Sequence, residues 1–468
     1  MKSSTKDILK YLFYPRSIAV IGASRYPRKV GYEILENIIK YGFKGAIYPV
    51  NPKATEILGL KCYPSIKNVP DEVDLAIICI PAPIVPTIVK ECGEKGVKVL
   101  AIISSGFREI GNTELERTIV QIAAKYGMRI LGPNIFGIFC ARSRLNATFG
   151  PTDVIPGKIA LISQSGALGI ALMGWTISEK IGLSAVVSVG NKADIDDADL
   201  LEFFMEDDST NTIMIYLEGL KRAREFIQIA KRVSIKKPIV IIKAGRSERG
   251  AKAAVSHTGA MATNDVIYSA AFKQCGVLRA LDLESALDWV RALSELRAPE
   301  KEGVLIITNG GGIGVMATDE CIERDLKLVD PPEDLIEAMR RHMPPFGSPL
   351  NPVDLTGQAT EYEYYGAIVD ALTHPSVHSL IVLYCETAIV DPMRVAESIV
   401  RARDNTRTEK PIVASLVGGG RTIEAMDYLN SNGIPTYPTV SRAVSALAAL
   451  YKWSRWKHKL KAVVSTPV

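Results

Sequence analysis

The sequence predicts an α/β protein of three doubly wound domains, and three observations carry that expectation. The chain has 468 residues, too many for one core at roughly 100–200 residues per domain. One pattern, an apolar strand, a turn of small residues and a helix, starts three times: SIAVIGAS (Ser17–Ser24), KIALISQSGALG (Lys158–Gly169) and GVLIITNGGGIG (Gly303–Gly314). Each start is followed by further short, β-branched apolar runs, as expected of parallel strands covered on both faces.

Taken in order, the first third adds GAIYPVNP, DLAIICIPAP and VKVLAIISSGF; the second adds TIMIYLEG and KPIVIIKAGRS; the last adds HSLIVLYCET and KPIVASLVGGG. Segments between them, such as GNTELERTIVQIAAKYG and RAREFIQIAKRVSI, have helical periodicity. A polar stretch around Cys140 to Gly157 and the segment LRAPEKEG, Leu296 to Gly303, mark the boundaries. The expected domains are therefore 1–140, 141–297 and 298–468. The second and third domains parallel each other, but only the second carries SHTGA after its last paired run. This reads as a duplicated framework with chemistry kept in one copy.

Composition excludes several classes. With 47% hydrophobic and 23% charged residues, the chain is an ordinary globular protein. A net charge of +5 makes no case for nucleic acid. The basic segment YKWSRWKHKLK near the end is expected to be a solvated amphipathic helix. Seven scattered cysteines, never spaced as CxxC, argue against a disulfide framework and a structural zinc site. The start MKSSTKDILKYLFYP lacks a signal-peptide apolar region, and the uncharged run Ile159 to Ser178 reads as strand, turn and helix rather than a membrane span. A cytoplasmic location without membrane contact is expected.

In the first domain, Gly22-Ala23-Ser24 after an apolar strand lets backbone amides approach a phosphate at a helix N-terminus. The strict GxGxxG is missing, and the next strand ends at Asn51-Pro52-Lys53, where an NAD site wants an acid for the ribose. Lys29 and Lys53 suit a ligand with extra phosphate instead. Ile80-Pro81-Ala82-Pro83, Ser104-Ser105-Gly106-Phe107 and Gly132-Pro133-Asn134 close later strands, at the ends where open α/β sheets bind ligands. Rigid βα turns alone also explain these residues. In this order, IGAS, NPK, IPAP, SSGF and GPN resemble the CoA-binding domain of the NDP-forming acyl-CoA synthetases, the superfamily of succinyl-CoA synthetase. The resemblance implies a Rossmann-like domain whose CoA site is lined by Gly22, Ser24, Pro52, Lys53, Ile80, Pro81, Ser105 and Asn134. Many relatives have a cysteine where Ile135 stands.

Of the five histidines, His257 is set apart by its place in GAKAAVSHTGAMA, a run of small residues beyond the strand PIVIIKAG. His374 and His378 flank Pro375, which argues against a helical metal pair, and no metal site is expected. With His342 and His458 they read as surface or packing residues. A histidine that carries phosphate needs one free ring nitrogen and an acceptor on the other. Glu218, at the end of TIMIYLEG, is the best acceptor. The phosphate needs backbone donors, and Ser163-Gln164-Ser165-Gly166 opens a helix at a strand end; ordinary N-capping by serine explains the same residues. SHTGA, YLEG and SQSGALG resemble the second domain of the same superfamily. The resemblance makes His257 the phosphohistidine, Glu218 its partner, Ser165 and Gly166 the phosphate cradle, and Gly190-Asn191-Lys192 a wall of the site.

In the third domain Asn309-Gly310-Gly311-Gly312 opens a helix and reads as a second phosphate cradle. This domain resembles the C-terminal domain of the succinyl-CoA synthetase β chain. The expected fold is thus a Rossmann-like CoA-binding domain followed by two flavodoxin-like ligase domains, an arrangement similar to the α subunits of ADP-forming acetate–CoA ligases. The implied reaction is acyl-CoA (acetyl-CoA in those ligases), phosphate and ADP giving acid, CoA and ATP, through an acyl phosphate and phospho-His257. The sequence has no Walker A motif and no segment resembling an ATP-grasp module. The resemblance therefore places ADP/ATP with Mg²⁺ on a partner, a β subunit with ATP-grasp domains in an α₂β₂ assembly. A subunit of a succinate– or aryl-acid–CoA ligase, or a CoA-binding regulator without turnover, remains as an alternative.

Overall fold

A computed structural model of the chain describes residues 5–250 and 265–464. The chain divides into two compact units, Met1–Ala280 and Leu281–Val468. The first unit holds two large sheets. Its first sheet is built from β1 (Ser17–Ile21), β2 (Ala46–Val50), β5 (Leu75–Ile78), β6 (Val99–Ile102) and β7 (Arg129–Leu131). A small hairpin of β3 (Glu56–Ile57) and β4 (Leu60–Lys61) follows β2. The order is β2-β1-β5-β6-β7, parallel throughout. β1, β5 and β6 are buried at every position, hence their unbroken apolar runs.

The second sheet runs β14-β13-β12-β10-β11-β8-β9. Its strands are β8 (Gly137–Cys140), β9 (Leu145–Thr148), β10 (Pro156–Ser163), β11 (Leu183–Ser188), β12 (Thr212–Leu217), β13 (Ile239–Lys243) and β14 (Leu278–Ala280). The hairpin β8–β9 is antiparallel and pairs with β11. The sequence places a polar boundary stretch from Cys140 to Gly157. The structure instead starts the hairpin at Gly137 and buries all eight of its strand residues. Arg142 and Arg144 in the tight turn hide that burial from a composition reading. The N-terminal helix Thr5–Phe13 packs against helix Asp197–Glu206, with Phe13 stacked on Phe203 at 4.2 Å and Tyr14 Oη donating to Asp207 at 2.8 Å.

The second unit has one parallel sheet, β16-β15-β17-β18-β19, made of β15 (Val304–Thr308), β16 (Val353–Asp354), β17 (Ser379–Cys385), β18 (Ile412–Val417) and β19 (Thr436–Tyr437). Helix Leu283–Glu295 precedes the LRAPEKEG segment yet packs in this unit. Trp289 Nε1 donates to Ser445 Oγ at 2.9 Å, and Asp288 accepts from Arg442 at 2.8 and 2.7 Å. The basic end lies in helix Val440–Val464. It is docked rather than wholly solvated: Tyr451 and Trp453 are buried, and Arg455 pairs with Glu302 and Asp325, each at 2.7 Å.

Each of the three strand–turn–helix starts, β1, β10 and β15, is flanked on opposite sides by the next two strands of its own sheet. These are the switch points where the loops diverge and leave a crevice at the strand ends. At the first, Gly22 has φ +88°. Gly31, on helix Val30–Lys40, lies so near that a Cβ on it would stand 2.1 Å from Gly22 O. Gly31→Ala must therefore move backbone, and is expected to destabilise the chain by about 1–3 kcal/mol, read as a lower urea midpoint. Among the described residues, no helix is long and apolar enough to cross a membrane, and no group of three or more His, Cys, Asp or Glu could hold a metal. All seven cysteines are free thiols.

Candidate active site

Five turns of the first sheet are tied together in two groups, by backbone and by the side chains of Asn51 and Ser104. Asn51 Nδ2 donates to Ala23 O at 2.8 Å and its Oδ1 accepts from Lys53 N at 2.8 Å, joining the β1 and β2 turns. Ser104 Oγ donates to Ile80 O at 2.5 Å, and Asn134 N donates to Ser104 O at 3.0 Å, joining the β5, β6 and β7 turns. Asn134 itself is left-handed, with φ +63°. Ser24 is half-buried and accepts from Tyr26 N at 3.1 Å, while Pro52 and Lys53 are exposed.

The serines of the β10 turn in the second sheet are bonded within it, while its Gln164 reaches the β12 turn. Ser163 Oγ donates to Ser165 O at 2.7 Å, and Ser165 caps helix Gly166–Ser178 by accepting from Leu168 N at 3.4 Å. Nothing lies within 4 Å of where a Gly166 Cβ would stand, so the helix N-terminus is open there. Glu218 follows β12 directly, and the N–H groups of Glu218 and Gly219 both donate to Gln164 Oε1, at 2.9 and 3.1 Å.

The loop Gly190-Asn191-Lys192 joins the two sheets. Asn191 N donates to Pro133 O at 3.0 Å and Ala193 N to Gly132 O at 2.8 Å. Gly190 has φ +48°, and a Cβ there would stand 2.3 Å from Pro133 O and Asn134 O, so the approach needs glycine. The Asn191 amide donates to Glu109 at 2.6 Å and Glu116 at 2.8 Å, and Arg108 donates to its carbonyl at 2.9 Å. Lys221 Nζ donates to Lys192 O at 2.6 Å; burial, then the Arg108 charge, pull its ammonium down to about 8.

Burial acts to raise the Glu109 carboxyl, but the Asn191 amide and the N–H groups of Gly106 and Phe107 outweigh it and hold it below the usual range. A depressed folded value stabilises above the unfolded pKa, about 4.3, and that stability is lost as pH falls through the folded value. Glu109→Gln is therefore expected to lower the melting temperature at pH 7, with the deficit shrinking toward about pH 4. An equal deficit at both pH values would mean that the charge of Glu109 is irrelevant.

These ties close a cleft of about 680 Å³ within the first unit. Its lining brings together Ile80, Pro81, Ser105 and Asn134 from the first sheet with Ser165, Gly166 and Glu218 from the second. Gly22, Ser24, Pro52 and Lys53 stand on the adjoining β1 and β2 turns, outside that lining. Among the described lining residues the charged ones, Glu109 and Glu218, are both acidic, and the helix N-terminus at Gly166 offers open amides to an anion. Gln164, Glu109 and Asn191 also line it; Gln164 and Asn191 lie in segments the sequence already points to, while Glu109 is revealed only by its contact with Asn191 across the sheets. His257 lies outside the described residues.

In the second unit, the β15 turn differs from the β10 turn. Asn309 is buried with both side-chain atoms on Cys385, Nδ2 donating to its O at 2.9 Å and Oδ1 accepting its N–H at 2.8 Å. Gly310 N donates to Thr308 Oγ1 at 3.0 Å, and a Cβ on Gly311 would stand 3.0 Å from Asp354 Oδ2. A carboxylate thus already sits beside this helix N-terminus.

Comparison with known proteins agrees with this layout. Residues 16–141 match the CoA binding domain, 156–293 the succinyl-CoA ligase like flavodoxin domain, and 304–461 the ligase-CoA domain. Fold and cleft thus define a CoA ligase of the succinyl-CoA ligase type. The chain is 61% identical to the α subunit of acetate–CoA ligase (ADP-forming) I of Pyrococcus furiosus, over 97% of this chain and 99% of that one. It is 44% identical to the acetate–CoA ligase (ADP-forming) of Methanocaldococcus jannaschii, over 96% of this chain but 64% of that protein. The dinucleotide-forming acetyl-coenzyme A synthetase 1 of Ca. Korarchaeum cryptofilum, solved with phosphate and ADP, superposes with a TM-score of 0.96 at 51% identity, covering 98% of this chain and 99% of that one. The chain belongs to the family of ADP-forming acetate–CoA ligase α subunits.

Proposed function

We propose that the chain is the α-type subunit of an ADP-forming acetyl-CoA synthetase, converting acetyl-CoA, phosphate and ADP to acetate, CoA and ATP. The observation that carries this reading is the single cleft that gathers Ile80, Pro81, Ser105 and Asn134 with Ser165, Gly166 and Glu218. CoA takes the first set, with Gly22, Ser24, Pro52 and Lys53 on the neighbouring turns. Phosphate takes the N-terminus of helix Gly166–Ser178, where the dipole and open amides contribute up to roughly 2 kcal/mol. Phosphate attacks the thioester carbonyl there, the carbon–sulfur bond breaks, and acetyl phosphate and CoA thiol result. A ring nitrogen of His257 then takes the phosphoryl group and acetate leaves, with Glu218 fixing the ring. Asn309, Gly310 and Gly311 form the weaker candidate cradle, since Asn309 is spent on Cys385.

ADP with Mg²⁺ is assigned to a β subunit with ATP-grasp domains, in an α₂β₂ assembly in the cytoplasm. The 64% coverage of the M. jannaschii ligase, which is not called a subunit, supports a second component of about the remaining length. The test is incubation of the full chain with acetyl phosphate labelled at phosphorus. An acid-labile, base-stable label is expected; a chain that takes no such label overturns the reading.

A further inference from the structure

One side chain joins the two turns assigned above to phosphate and to its histidine partner. Gln164 is 8% exposed, and its Oε1 accepts both the Glu218 and the Gly219 N–H. Its own N–H donates to Tyr216 O at 3.1 Å. From the other side, Lys192 Nζ donates to Gly219 O at 3.1 Å. The β10–β12 register ends at Ser163 paired with Tyr216. Beyond that pair the two chains diverge, one into the Ser165-capped helix and the other into Glu218. Past the end of the ladder, the spacing of those two turns is set through the Gln164 amide.

A buried amide whose oxygen takes two main-chain donors holds both the position and the orientation of the peptides that carry Glu218. We infer that Gln164 is a positioning residue for phosphoryl transfer. It fixes the Glu218 backbone relative to the helix N-terminus at Ser165 and Gly166, without itself reacting. This role rests on the functional reading above.

The test compares the full chain with Gln164→Met, which keeps the length but removes the acceptor, and Gln164→Glu, which keeps an acceptor oxygen in the same place. Amide exchange of the 218–220 segment, followed by mass spectrometry, is expected to quicken about tenfold or more in Gln164→Met and to stay near the parent in Gln164→Glu. The maximal rate of labelling from acetyl phosphate is expected to fall about 10- to 100-fold in Gln164→Met, with the half-saturating concentration unchanged. Gln164→Glu is expected to regain most of that rate, at a higher half-saturating concentration, because it adds negative charge beside an anion. Unchanged exchange in Gln164→Met, a parental labelling rate in it, or no recovery in Gln164→Glu overturns the role. Absence of label on the parent chain overturns the functional reading and the role with it. Label on the parent together with a fully active Gln164→Met overturns the role alone.

Discussion

His257→Ala is expected to lose all acid-labile phosphate after treatment of the chain with labelled acetyl phosphate, while the parent is labelled. The chemistry requires an imidazole nitrogen that is neutral and unblocked. The other histidines meet that requirement poorly or stand elsewhere. His374 has both nitrogens engaged, Nδ1 with Ser376 at 2.8 Å and Nε2 with Asp334 at 3.2 Å. His342 gives Nε2 to Asp370 at 2.8 Å. His378 is held below its usual pKa by burial and then by Lys410 and Lys301, which favours its neutral ring. Its position at the start of β17 puts it at the opposite strand ends from the β15 turn. His378→Ala is therefore the informative control and should keep the label. Equal labelling of His257→Ala and parent would remove His257 from its role.

Lys192→Met is expected to cost about 3–5 kcal/mol of stability, seen as a lower urea midpoint. Lys192 and Asp197 are paired at 2.5 Å with side chains 1% and 2% exposed. Removing the ammonium leaves a carboxylate with no counter-charge in a site that water does not reach. Burial already pushes Asp197 above the usual carboxylate range despite Lys192. A raised folded pKa favours the protonated form, so stability falls as pH rises through the folded value. The deficit of Lys192→Met should accordingly be larger at pH 8 than at pH 5. Replacing both partners, in Lys192→Met with Asp197→Leu, should recover much of the loss. An unchanged midpoint in the single variant would show that the pair is not a buried ionic contact in solution.

Much of this architecture was legible because its signals are local. SIAVIGAS, KIALISQSGALG and GVLIITNGGGIG each combine a β-branched run with small turn residues, and each became a switch-point strand with a parallel partner on both sides. Unbroken apolar runs identify strands buried on both faces, and Ser165 as N-cap follows from its place before an apolar helix. The less legible segments share a different character. The hairpin Gly137–Thr148 has a charged turn, and its burial depends on docking against β11. Helix Leu283–Glu295 looks continuous with what precedes it, but Asp288 and Trp289 meet partners about 150 residues away. Asn309 has the residue type of a phosphate ligand, and its use by Cys385 is visible only when β15 and β17 lie side by side.

Local pattern was enough for the α/β class, the strand–turn–helix starts and the residue types at the strand ends, because propensity and periodicity act over a few residues. Only the tertiary structure decided which turns share a cleft. Gln164 reaches Glu218 and Asn191 reaches Glu109 through hydrogen bonds that span chain separations no local pattern records. The chemistry of the site depends on those long-range distances.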